Sequence, residues 1–187
     1  MKTYIKIIAL LFIIFILQCS KNPNNSKAVT VSILPQKYFV EQIVGNNFQV
    51  NVMIPPGHNP AAYEPTIQQL QKISNSTIYF KIGYIPFEIV SMDKIKSFNK
   101  NLRVVDTSKG IDLIKGHSHN DDHNPTGIDP HIWMSPKACV IICKNIFETF
   151  SQVDPKNKKY YQSNFDSLIK KIKQLDMEIK NQLKDIK

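Results

Sequence analysis

The stretch AVTVSILPQKYFVEQIVGNNFQVNVMI, residues 28–54, decides the fold. Its apolar positions change period twice. Val29, Val31 and Ile33 alternate, so residues 28–34 predict a strand. Pro35 lacks a backbone donor and stops it. Tyr38, Phe39, Ile43 and Val44 then recur at helical spacing, and Gly45 closes the helix. Residues 48–54 alternate again and predict a second strand. A strand, a helix and a strand in so short a span predict a parallel pair joined by a right-handed crossover.

The pattern repeats downstream. Thr66 and Gln69 have capping-box spacing and start a helix through Ser74. Residues 77–82 predict the third strand, Pro86 to Phe98 a short helix, and residues 102–105 the fourth strand. Ser135 and Pro136 are an N-cap followed by proline at the first helical position. They open a helix through Phe150, which Asp154-Pro155 ends. The expected fold class is α/β: a four-stranded parallel sheet with flanking helices, occupying residues 28–155. From residue 156 onward one long helix is expected. Tyr161, Phe165, Leu168, Ile172, Leu175, Ile179, Leu183 and Ile186 form its apolar stripe. At about 30 residues it would reach roughly 45 Å, more than one small lobe needs. Beyond Leu175 the stripe has no evident surface to cover, which predicts a second polypeptide, self-association through Leu175–Ile186, or fraying of that end.

The amino terminus is a different kind of segment. Lys2 and Lys6 precede an unbroken apolar run from Ile7 to Leu17, too short to span a bilayer and right for a signal peptide. The run ends at Ile16-Leu17-Gln18-Cys19-Ser20, where an apolar residue three before a cysteine resembles a bacterial lipobox, with Gln18 where a small residue is usual. That resemblance makes residues 1–18 a signal peptide, Cys19 the acylated first residue and residues 19–27 a tether to the membrane. The expected place is the cell envelope, on the periplasmic or exterior side. Cys139 and Cys143 share one face of a helix and are expected as buried core thiols. The formal charge is +9, and +7 once Lys2 and Lys6 leave with the signal. Lysines are spread along the chain without an arginine cluster, so no nucleic-acid partner is expected.

The chemistry gathers in two loops. Four of the five histidines, His117, His119, His123 and His131, fall in residues 116–136, with Asp121, Asp122 and Asp129 among them. Imidazole and carboxylate are the ligand set of zinc and manganese-like ions. His131, next to Trp133 and just before a helix, is expected to be the fixed ligand. The other three lie on a polar, Gly-marked arm. The fifth histidine, His58, sits in the proline-rich loop of residues 55–66, at the carboxyl end of the second strand. Ligands bind at that edge of open α/β sheets, so the two loops are expected to open on one site. Neither a His-Glu-x-x-His helix nor a Gly-x-Ser-x-Gly elbow occurs, so no enzyme and no catalytic or cofactor-binding residue is expected.

Pro55-Pro56-Gly57 through Asn59-Pro60 to Tyr63-Glu64-Pro65-Thr66, together with Asp129-Pro130-His131-Ile132-Trp133-Met134-Ser135-Pro136, resembles the zinc/manganese substrate-binding lipoproteins of ABC importers. The resemblance runs from about Cys19 to the end. It implies two α/β lobes joined by a long rigid helix, with metal ligated in the cleft by two histidines of the first lobe and a histidine and a carboxylate of the second. His131 carries over directly. The family's other first-lobe histidine falls on Ala61, which leaves His58 as the substitute, while Glu64 is expected to be structural. The chain is therefore expected to be the first lobe and linker helix, with the second lobe absent. Its expected role is to bind zinc, or alternatively manganese, for delivery to an ABC permease. The other reading is an adhesin-like or interaction lipoprotein, or a non-functional remnant.

Overall fold

The computed structural model describes residues 27–60, 62–116 and 127–185. Four strands, β1 (Lys27–Val31), β2 (Phe48–Val52), β3 (Ser76–Lys81) and β4 (Arg103–Asp106), form one parallel sheet in the order β2-β1-β3-β4. Helices α1 (Leu34–Val44), α2 (Ile67–Ser74) and α3 (Pro86–Phe98) make the crossovers. The chain steps from β1 to β2 in one direction, then to β3 and β4 in the other. Right-handed crossovers therefore put α1 on one face and α2 and α3 on the opposite one. Helices α4 (Pro136–Val153) and α5 (Lys158–Leu183) return to the α1 face, where all three pack together.

Burial on both faces explains the composition of the inner strands. In β1 every residue from Ala28 to Val31 is buried, and in β3 Ile78, Tyr79 and Phe80 are at most 1% exposed. Val31 pairs with Phe80, and the Phe80 ring meets Phe150 of α4 at 5.4 Å. Phe48 of β2 meets the same ring at 4.8 Å, so one aromatic side chain of α4 spans β2 and β3. On the other face Thr30 and Ser76 satisfy each other at 2.8 Å.

The expected elements are present, with shifted ends. Strand β1 ends at Val31 and α1 begins at Leu34, so Pro35 lies in the first turn of the helix rather than acting as a spacer before it. The missing donor of proline costs nothing there. Helix α4 runs to Val153, one turn beyond Phe150, because the first residue unable to continue is Pro155. Gly45 ends α1 at φ 58°, and a Cβ there would collide with the Tyr160 hydroxyl of α5.

Helix α5 is 26 residues, about 39 Å long. Tyr161, Leu168 and Ile172 are buried, and Phe147 stacks on Phe165 at 4.9 Å. The Tyr161 hydroxyl donates to Asp154 at 2.6 Å, and Asn164 donates to the Ile43 carbonyl at 3.0 Å. Past Ile172 none of its described residues is buried, and Leu175 and Leu183 are half exposed. No helix among the described residues is long and apolar enough to cross a membrane.

Candidate metal centre

All four strands are parallel, so the loops after β2 and β4 open at the same edge of the sheet. Those strands are the two outermost, however. Three strand spacings put their ends about 14 Å apart, so the loops must lean inward to meet. The loop after β2 does lean. Phe87, in the first turn of α3, donates its amide to the Pro60 carbonyl at 3.1 Å, which carries the loop across β1 to β3. The Tyr63 ring meets Phe87 at 5.8 Å and His58 at 5.3 Å. Gln69 ties the far end. It completes the capping box with Thr66, accepts from the Tyr63 hydroxyl at 2.7 Å and donates to the Met53 carbonyl at 2.6 Å.

His131 is held from several sides. Ile132 is buried, the Trp133 ring packs at the edge of the core 5.2 Å from the imidazole, and Ser135 caps α4 immediately after. The Asp129 carboxylate accepts from the His131 amide at 2.9 Å and from Nδ1 at 2.8 Å. Those two bonds hold the Asp129 carboxyl below its ordinary value. With Nδ1–H committed to Asp129, the Nε2 lone pair is the one left for a metal, and it has no hydrogen-bond partner among the described residues. The imidazole is exposed beside a hollow of about 100 Å³, also lined by Ile111, Asp112, Ile114 and Asp129.

The arm before Asp129 reads as featureless loop in sequence, but its base is clasped. Lys115 and Ile128 form an antiparallel bridge, and Gly116 donates to the Gly127 carbonyl at 2.9 Å. His117, His119 and His123 lie outside the described residues, as do Cys19 and Ala61. His58 is exposed, its Nδ1 3.4 Å from the Pro56 carbonyl. It does not line the hollow beside His131, and no group of three or more His, Cys, Asp or Glu converges among the described residues. Glu64 is exposed.

Cys139 and Cys143 are buried free thiols, as their spacing predicts. Burial pushes Cys139 up to about 11 and Cys143 higher still, and Cys139 donates to the Trp133 carbonyl at 3.1 Å. They are packing groups, not thiolate ligands. Two carboxylates of interest escape the sequence reading. Asp112 lines the hollow beside His131, and only its place downstream of β4 hints at that. Glu88 is 3% exposed at the carboxyl ends of β1 and β3, although its sequence setting is an ordinary first helical turn.

The chain is similar to proteins named for zinc and manganese uptake. The chain is 30% identical over 157 residues to the high-affinity zinc uptake system protein ZnuA of Bacillus subtilis, covering 79% of this chain and 49% of that protein. It is 29% identical over 192 residues to the manganese ABC transporter substrate-binding lipoprotein PsaA of Streptococcus pneumoniae, covering 96% and 59%. A crystal structure of a zinc-bound ZnuA deletion mutant superposes with a TM-score of 0.79 at 31% identity, over 86% of this chain and 60% of that one. The chain thus spans about half to three fifths of the length of these relatives. The family described as zinc-uptake complex component A, periplasmic, matches residues 29–187, and the chain belongs to that family.

Proposed function

We propose that this chain captures a divalent transition-metal ion outside the cytoplasmic membrane for delivery to an ABC import permease, as a binding protein and not an enzyme. The observation that carries the reading is the Asp129–His131 pair, an oriented imidazole with Nε2 free at the carboxyl edge of the sheet. The curated relatives, named as zinc or manganese substrate-binding proteins, support it. Zinc is favoured over manganese because the candidate donors, His131, His58, His117, His119 and His123, are imidazoles, and manganese prefers oxygen. His131 is the fixed ligand. His58 takes the role of the histidine that Ala61 replaces, and His117, His119 and His123 collect ions. The remaining ligands come from a second lobe, on the same polypeptide or on another. Cys19 anchors the protein by acylation in the cell envelope.

Zinc titration by calorimetry tests the reading. His131→Ala should weaken binding at least tenfold, and His117→Ala, His119→Ala and His123→Ala each far less. Small and equal losses at all four positions would reduce the site to a histidine-rich arm, and no zinc uptake by the unaltered chain would overturn the proposal.

A further inference from the structure

Among the described residues, Glu88 is the one buried carboxylate at the carboxyl edge of the sheet that the metal reading does not use. It belongs to the first turn of α3 but faces the sheet. Its Oε1 accepts from the Ile82 amide at 2.7 Å and from the Ser32 hydroxyl, and its Oε2 accepts from the Gly83 amide at 2.7 Å. The Ser32 hydroxyl also meets the Tyr79 hydroxyl at 2.9 Å. One carboxylate therefore ties the turn after β1 to the turn after β3, at the point where the strand order reverses. Gly83 is bound to this arrangement: its φ is 116°, and a Cβ there would lie 2.7 Å from the Ser108 hydroxyl. The residue beside Glu88 is Phe87, whose amide holds Pro60 and whose ring supports Tyr63, against which His58 rests.

We infer that Glu88 is a positioning residue for the loop of residues 55–66: by fixing the turn after β3 it sets Phe87, and through Phe87 it sets Pro60, Tyr63 and His58. As a statement about metal capture, this rests on the function proposed above. The carboxylate must accept three hydrogen bonds to do this. Burial pushes Glu88 from 4.5 up to about 7, and the Ser32, Gly83 and Ile82 hydrogen bonds and the Lys81 charge only partly oppose it. The other titratable groups facing it are Tyr79 and Lys81 of β3, and Lys81 is paired with Asp106 of β4 at 2.9 Å. Burial and the Glu88 charge raise Tyr79 well above its usual range, so it stays neutral throughout. A proton on Glu88 removes its negative charge, so the bonds it accepts from the two amides and the serine weaken.

The test is amide hydrogen exchange on the metal-free chain between pH 5.5 and 8.5, corrected for intrinsic rates, with carbon-13 detection of the glutamate carboxyls. Protection of the Phe87 and Ala62 amides should fall at least threefold as the pH drops, with the midpoint of the Glu88 resonance. The Val29 and Ile78 amides in the sheet should not follow. Glu88→Gln should hold the two loop amides at their low-pH level at every pH, and should weaken zinc binding three- to tenfold at pH 8. Loop amides that ignore the Glu88 midpoint, or a transition that survives in Glu88→Gln, overturn the inference. If that variant does not fold, the titration of the unaltered chain decides alone. If the unaltered chain binds no zinc, the proposed function fails while the exchange data still judge Glu88.

Discussion

A histidine can present either ring nitrogen, and a metal site needs that choice fixed before the ion arrives. Here Asp129 makes the choice, two residues before the imidazole it orients. Asp-x-His spacing is legible in sequence. Its meaning is not, because an aspartate among histidines reads equally as a ligand and as an orienter. The amide and the ring of His131 both engage one oxygen of the Asp129 carboxylate, a geometry that fits the second role. Asp129→Ala should therefore cost about 10- to 100-fold in zinc affinity while His131 remains present. Glu88 supplies a second residue-scale expectation, for stability. Its folded value of about 7 lies above the ordinary 4.5, so between those values the folded chain holds a proton that the unfolded chain has lost. Its contribution is fully present below pH 4.5 and disappears as the pH rises through 7, falling by roughly 1.4 kcal/mol for each pH step between the two values. Denaturant unfolding at pH 5 and pH 8 should show that loss in the unaltered chain, and a smaller one in Glu88→Gln.

Elements are where the sequence is most readable, and their ends are where it is least so. Helix α3 sits where period and punctuation put it, residue for residue, because Pro86 and the apolar pattern agree, while strand β3 lies one residue earlier than its pattern predicts. The Thr66–Gln69 capping box is likewise visible in sequence and present in space. Long-range ties are not visible. Nothing local to α5 says that the Tyr161 hydroxyl reaches back to Asp154, or that Asn164 reaches the end of α1. The first tie can be tested. Burial raises the Asp154 carboxyl, but the hydrogen bonds from Tyr161 and Asn157 outweigh it and leave its value below the ordinary one. That stability is present above the unfolded value and is lost as the pH falls through the folded one. Tyr161→Phe should destabilise by about 1–3 kcal/mol at pH 7, through the lost hydrogen bond, and by less in acid. A mutant equally destabilised at pH 7 and pH 3 would assign the loss to packing instead.

At the scale of the molecule, the uneven burial of α5 is the informative feature. The sequence reading places one stripe along the helix, and the structure divides it. Leu168 and Ile172 are covered by α1 and α4, while Leu175 and Leu183 are about half exposed. Periodicity shows which face is apolar, but it cannot show how far along that face the neighbouring helices extend. The loops behave similarly. Parallel strands put both on one edge, but the roughly 14 Å between β2 and β4 leaves their convergence to contacts such as Phe87 with Pro60. The divided stripe predicts a divided response. Leu168→Ala opens a cavity in a packed interior and should cost about 2–5 kcal/mol in denaturant unfolding of this chain. Leu175→Lys and Leu183→Lys should each change the stability of the monomer by no more than about 0.5 kcal/mol, as surface changes do. If instead the two lysine variants destabilise strongly and make the midpoint depend on protein concentration, the outer stripe is covered by another copy in solution. Hydrogen exchange gives an independent reading: amides from Tyr161 to Ile172 should be strongly protected in a demonstrated monomer, and protection should decline from Leu175 onward. Protection that stays high through Leu183 in that monomer would mean that this end of the helix is stable without any surface to cover it.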